Sequence, residues 1–246
     1  IAACLVVLFH AGHMLALPQY NGPAAPEQRI FTFGNCGVDF FFILSGFVIF
    51  NVHQNDIGRP PRLFHYRWRR LSRIDPMYWV ATALVIAIAA LKNDWSDLGT
   101  LHLVRSVLLL PTYEYPILFL GWTLTHEVLF YAVFAIAILS RRAGMILGLI
   151  WLGLIVAGLF ASSDIMLLRF VSDPYHLEFA FGIMAALATN RFKSPAAWLA
   201  ALAGILLFAA TAVQLDWHTL QINQPICRFL FGIASALILF GVSVSE

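Results

Sequence analysis

The sequence predicts an all-α, polytopic transmembrane helix bundle, and three observations carry that prediction. First, 61% of the 246 residues are apolar and 11% are charged, with mean hydropathy +0.81. A soluble domain carries about 45–50% apolar and roughly 25% charged residues. Second, the apolar residues gather into runs that approach the roughly 20 residues needed to cross a bilayer. Third, the basic residues concentrate in a few of the segments between those runs. So little polar surface cannot coat a globule in water. A soluble enzyme, a disordered tail and a nucleic-acid module are excluded together.

Eight spans follow in order. Residues 1–17 are apolar apart from Gly12, His10 and His13. This run opens without the basic lead of a secretory signal, and the expectation is a helix that begins upstream of Ile1. Residues 36–51 form the second span, with one acid, Asp39. Residues 77–91 form the third and 122–139 the fourth. Residues 143–161, 19 positions without a charge, form the fifth. The sixth, 175–189, is shorter and holds Glu178. Residues 195–215 and 226–244 complete the set, and the far end also reads as truncated.

Orientation comes from the basic residues, since positively charged loops stay cytoplasmic. The segment 53–75 holds six arginines: Arg59, Arg62, Arg67, Arg69, Arg70 and Arg73. Arg141 and Arg142 follow the fourth span, and Arg191 and Lys193 follow the sixth. These segments hold ten of the fifteen basic residues, and eight alternating spans place all three on one side. Segments 18–33 and 93–121 then face outside. Within the latter, 98–110 is apolar but too short to cross, and it carries His102 and Arg105. It reads as an interfacial or re-entrant helix. Cys4, Cys36 and Cys227 are too widely spaced for a disulfide framework or a metal motif, and they read as small core residues.

Ionisable side chains at membrane depth cost several kcal/mol, roughly 2.5–3.5 on insertion scales, and mark candidate functional positions. His10 and His13 lie three apart, on neighbouring positions of one helix face. Histidine exchanges protons near neutral pH, and His10 is the deeper of the two. His13 also fits a plain interfacial position. Asp39 either orients a histidine or caps the outer end of its helix. Ser45 and Gly46 lie deeper in the same span and fit close helix packing. Glu127 sits in the first turns of the fourth span, where the helix dipole alone favours a carboxylate. Trp122, at the mouth of that span, fits an interfacial aromatic belt. Glu178 and Arg228 either neutralise each other or bind a ligand. The arginine segment fits positive-inside sorting and anionic lipid. It also fits a phosphate-rich ligand, because a guanidinium pairs bidentately with phosphate.

Four segments in this order resemble the acyltransferase family 3 membrane proteins, in their exopolysaccharide-production branch. They are Leu5-Val-Val-Leu-Phe-His10, Gly37-Val-Asp-Phe-Phe-Phe-Ile-Leu-Ser-Gly-Phe47, Arg69-Arg-Leu-Ser-Arg-Ile-Asp-Pro-Met-Tyr-Trp79 and Gly121-Trp-Thr-Leu-Thr-His-Glu-Val-Leu-Phe-Tyr131. The motifs cover residues 1–131; beyond them the likeness is hydropathy, with Glu178-Phe179 leading to Gly182. The resemblance implies one membrane domain over 1–246, incomplete at both ends, with about eight spans present of ten. It implies a bacterial inner-membrane enzyme that moves an acyl group, in the first instance acetyl, from cytoplasmic acyl-CoA to a hydroxyl. The acceptor is an exported or cell-surface polysaccharide or a lipid-linked saccharide, and no cofactor is tightly bound.

The family's essential histidine matches His10, while the arginine that precedes it by ten residues falls before Ile1. Its Arg-x-x-Arg pair matches Arg70 and Arg73, and its span-four glutamate matches Glu127. His10 and Glu127 are thereby the expected catalytic residues. Arg70, Arg73, Asp39, Ser45 and Trp122 are the expected substrate-binding residues. The chemistry is coherent: transfer from a thioester to a hydroxyl needs a base for the hydroxyl proton, and histidine is the commonest. A carboxylate, Glu127 or Asp39, then steadies the imidazolium. The competing class is a proton-coupled transporter or lipid-linked-sugar flippase with His10 and Glu127 as a proton relay. Against it, the sequence lacks paired broken helices in corresponding halves.

Overall fold

Ten α-helices, and no strand, occur among the residues described by the computed structural model, which are 2–15, 32–92, 99–112, 114–161, 163–216 and 225–245. They are α1 (Ala2–Leu15), α2 (Cys36–His53), α3 (Leu63–Leu91), α4 (Thr100–Val107), α5 (Gly121–Leu139), α6 (Arg141–Gly158), α7 (Met166–Val171), α8 (Tyr175–Arg191), α9 (Trp198–Asp216) and α10 (Pro225–Ser245). All but α4 and α7 coincide with the eight apolar runs. Six of them, α2, α3, α5, α6, α9 and α10, are long and apolar enough to cross a bilayer. At 14 and 17 residues, α1 and α8 fall short of that length. The chain is therefore an all-α, multi-pass membrane protein. The segment 18–33, expected to face outside, lies outside the described residues except for Thr32 and Phe33, which open the turn Thr32–Asn35.

The arginine segment corrects the sequence reading. Expected as a loop, it is helical from Leu63 onward, and α3 runs unbroken for 29 residues. At 1.5 Å per residue that is about 43 Å, longer than a bilayer's hydrocarbon core of roughly 30 Å. The cause is local. Pro60 and Pro61 open the preceding turn at positions where their missing N–H groups cost nothing. From Leu63 to Asp75 no residue breaks a helix. Pro76 removes the hydrogen bond to the Ser72 carbonyl and crowds that carbonyl with its ring, yet α3 continues through it.

The chain divides into two compact units, Ile1–Val52 with Pro174–Glu246, and His53–Asp173. In the first, α2 and α8 run parallel. The Phe42 and Phe179 rings lie 4.9 Å apart, and Asn190 Nδ2 donates to Asn51 Oδ1 at 3.4 Å. Between these contacts the backbones nearly touch. A Cβ on Gly46 would stand 2.3 Å from the Phe179 carbonyl oxygen, and one on Gly182 would stand 2.0 Å from that of Ile43. Parallel packing of the second and sixth spans is what strict alternation of eight spans requires. Beside them α9 and α10 pair through Phe208 and Phe231, 5.0 Å apart. Cys36, Leu215, Cys227 and Phe231 form a buried core cluster. Two of the three cysteines are thus the small core residues expected, but Cys4 is exposed on α1.

In the second unit α3 and α5 run antiparallel, with Tyr66 stacked 5.6 Å from Phe134 and Tyr78 closing on Gly121. The short helix α4 is tied back along α3. The Tyr78 hydroxyl donates to the Ser106 carbonyl at 2.7 Å, and Trp79 Nε1 donates to that of Val107 at 3.1 Å. Tyr78 lies about 20 Å back along α3 from Leu91, so α4 folds back alongside α3 instead of projecting from its end. Its end is closed by Leu109, at φ 52°, in the left-handed position that glycine usually takes. Burial of the Leu109 side chain offsets that strain. A tight turn at Ser140, whose hydroxyl accepts from the Ala143 N–H at 3.3 Å, joins α5 to α6.

Candidate active site

The expected site residues fall into both units: His10, Asp39 and Ser45 in the first, Arg70, Arg73, Trp122 and Glu127 in the second. His10 is half-buried on α1, its ring edge-on to Phe9 at 5.3 Å. The side chain of His13 lies outside the described residues. Ser45 is half-buried on α2, beside the Gly46 crossing that realises the close packing read from the sequence.

Asp39 enters a buried charge cluster. It is 4% exposed, and its Oδ1 lies 3.5 Å from Arg228 of α10. The buried Glu178 carboxyl of α8 borders the same group and is close enough to act electrostatically on Arg228. The Arg228 guanidinium lies over the Tyr175 ring at 3.4 Å. The sequence offered Glu178 and Arg228 as mutual neutralisers; the direct ion pair is instead Asp39–Arg228, with Glu178 in the same group. Two carboxyls thus gather around one guanidinium, and burying charge is costly unless it is paired in this way. The hollow bordered by Leu177, Glu178, Phe181 and Arg228 is closed to anything the size of water, so this cluster ties helices together.

The second unit assembles the other group. Tyr66 and Arg70 lie one turn apart on the inner face of α3, and Arg70 is only 8% exposed. Its guanidinium sits 6.0 Å from the Tyr66 ring centre and 5.8 Å from that of Tyr131 on α5. The Tyr66 hydroxyl donates to the Tyr131 carbonyl at 3.2 Å. The Tyr131 hydroxyl donates to Glu127 Oε1, one turn along α5. Arg70 and Glu127, 57 residues apart in sequence, thus meet at Tyr131. Arg73 is exposed one turn further on, so the arginine pair spans two environments.

Trp122 is half-buried and packs edge-on against His126 at 5.8 Å. His126 is itself buried, 4.7 Å from Phe170. Sequence reasoning missed Tyr66 and Tyr131, and the packing of His126 against Trp122 and Phe170. The signal was present as i, i+4 spacing: Tyr66 to Arg70, Glu127 to Tyr131, and Trp122 to His126 each share a helix face.

No solved structure matches the chain. The exopolysaccharide production protein ExoZ of Rhizobium meliloti (strain 1021) is 34% identical over 165 residues, 63% of this chain and 50% of that protein. The chain spans about half the length of this curated relative. The family model described as an acyltransferase domain matches residues 1–245. The four motifs, the helical membrane architecture and this match agree, and the chain belongs to the acyltransferase family 3 of membrane proteins.

Proposed function

We propose that this chain is the catalytic membrane domain of an O-acyltransferase that moves an acyl group, in the first instance acetyl, from cytoplasmic acyl-CoA to a hydroxyl of an exported or cell-surface polysaccharide. The observation that carries the reading is the acyltransferase match over residues 1–245. The name of the exopolysaccharide relative supports a polysaccharide acceptor. A buried arginine held beside a glutamate-bearing helix by two tyrosines supports a built site in the second unit.

In this reading His10 takes the proton of the acceptor hydroxyl as its oxygen attacks the thioester carbonyl. The carbon–sulfur bond breaks, and the proton goes to the departing thiolate, so ester and free thiol leave with atoms balanced. Glu127 is the second catalytic residue, its carboxylate oriented by Tyr131. Arg70 and Arg73 engage the donor, and Asp39, Ser45 and Trp122 shape substrate binding. Asp39 does so through the Arg228 cluster and the α2 position it fixes.

Membranes carrying the protein, given radiolabelled acetyl-CoA and the glycan acceptor, should place label in the glycan. Unlabelled glycan together with pH-gradient-driven movement of a lipid-linked saccharide would select the transporter instead.

A further inference from the structure

One buried histidine in the second unit has no part in the acyl-transfer scheme. His53, the last residue of α2, is 1% exposed. Its Nδ1 lies 2.9 Å from Asp56 Oδ2, and Arg62 Nε lies 3.7 Å from the other Asp56 oxygen. A carboxylate only accepts hydrogen bonds, so Nδ1 carries the proton. In the neutral ring Nε2 is then a bare lone pair. That Nε2 is buried and has no hydrogen-bond partner among the described residues. The imidazole stands edge-on to Tyr66 at 5.0 Å.

Arg70 borders the same ring. Its Nε–H is also buried and without a hydrogen-bond partner among the described residues. Arg70 is also close enough to act electrostatically on His53. Two buried, unpaired atoms of opposite character, one acceptor and one donor, therefore flank Tyr66. Native proteins rarely leave either kind unsatisfied, and a pair of them calls for a specific explanation.

We propose that His53 and Arg70 grip a secondary amide of the pantetheine arm of the acyl-CoA donor, the amide N–H donating to His53 Nε2 and its carbonyl accepting from Arg70 Nε. This rests on the reading of the donor as acyl-CoA. A neutral amide supplies one donor and one acceptor without bringing a charge into the interior. A phosphate fits less well: it offers no donor to Nε2, and it would be buried near the carboxylates of Asp56 and Glu127. The donor's phosphates fall instead to Arg73, exposed one turn along α3. The two arginines of the motif then divide the donor, Arg70 taking the neutral arm and Arg73 the charged end.

Three acetyl donors separate the contributions: acetyl-CoA, S-acetylpantetheine, which has both amides and no nucleotide, and S-propyl thioacetate, which has neither. His53→Leu should raise KM about tenfold for the first two, the effect of losing roughly 1.4 kcal/mol of binding, and leave S-propyl thioacetate unchanged. Arg73→Lys should raise KM for acetyl-CoA alone. His53→Gln, which restores an acceptor oxygen, should recover part of the loss. Asp56→Asn frees the histidine tautomer and should give an intermediate defect. Free pantetheine should also raise the melting temperature of the detergent-solubilised wild type but not of His53→Leu, a measurement independent of turnover. Equal KM changes for all three donors, or none, would overturn the proposal, as would a wild type that pantetheine does not stabilise. Stabilisation by pantetheine with no acyl transfer from any thioester would instead sink the acyltransferase reading and leave the amide grip standing.

Discussion

At the scale of single residues, the proposed chemistry turns on His10 and on how Glu127 is held. His10→Ala should remove acyl transfer by about 10²–10⁴-fold, the usual worth of a general base, with the protein still inserted and expressed. His13→Ala, one turn further along α1, should be much milder. Normal specific activity in purified His10→Ala would take His10 out of the reaction. The Tyr131 hydroxyl bonded to Glu127 gives a second test, because Tyr131→Phe deletes one hydrogen bond and almost no volume. A bond to a charged group contributes about 1.5–3 kcal/mol, so kcat should fall roughly ten- to a hundredfold, with KM for the donor nearly unchanged. An unaffected kcat would make the contact structural only. These residues were unequally legible. His10, Arg70, Arg73 and Glu127 stand in motifs, whereas Tyr66 and Tyr131 earn their places only once α3 and α5 pair. The pairing of Asp39 with Arg228, 189 positions away, has no local signature at all.

At the scale of helices, the first unit is held by the Asp39–Glu178–Arg228 cluster and by the backbone contact at Gly46 and Gly182. Arg228→Leu leaves two carboxyls buried without their cation, a class of change that costs about 3–5 kcal/mol. It should sharply reduce the yield of folded protein. Asp39→Asn leaves Glu178 to face Arg228 and should be far milder, and thermal melting of the two purified variants checks the order. Equal losses would show that Glu178 does not share the charge. Gly182→Ala should also unfold or separate the α2–α8 pair, since its new Cβ would meet the Ile43 carbonyl oxygen at 2.0 Å, where only backbone movement gives relief. The six helices long enough to cross were readable because hydrophobic length marks them, whereas α1 and α8 are shorter. The start of α3 was not, because arginines compatible with a loop are equally good helix formers, and charge alone does not say where a helix begins.

At the scale of the whole molecule, the remaining claim is orientation in the membrane. Within the first unit α2 lies parallel to α8, and within the second α3 lies antiparallel to α5. Both are what alternation of spans demands. Alternation fixes relative direction only, and the absolute sense rests on the basic residues of segments 53–75, 141–142 and 191–193. That sense also decides whether the acyl donor is drawn from the cytoplasm, because Arg73 lies in the first of these segments. Asn55 sits in the short turn Gln54–Asp56 and is exposed, so a cysteine there reports the side directly. The exposed Cys4 must first be replaced by serine. Cys36 and Cys227 are buried and can stay. In intact cells Asn55→Cys should resist an impermeant thiol reagent and react fully once the membrane is permeabilised. Labelling before permeabilisation would reverse the orientation. The donor arginines would then face away from the CoA pool, and the assignment of Arg70 and Arg73 to acyl-CoA would fall with it.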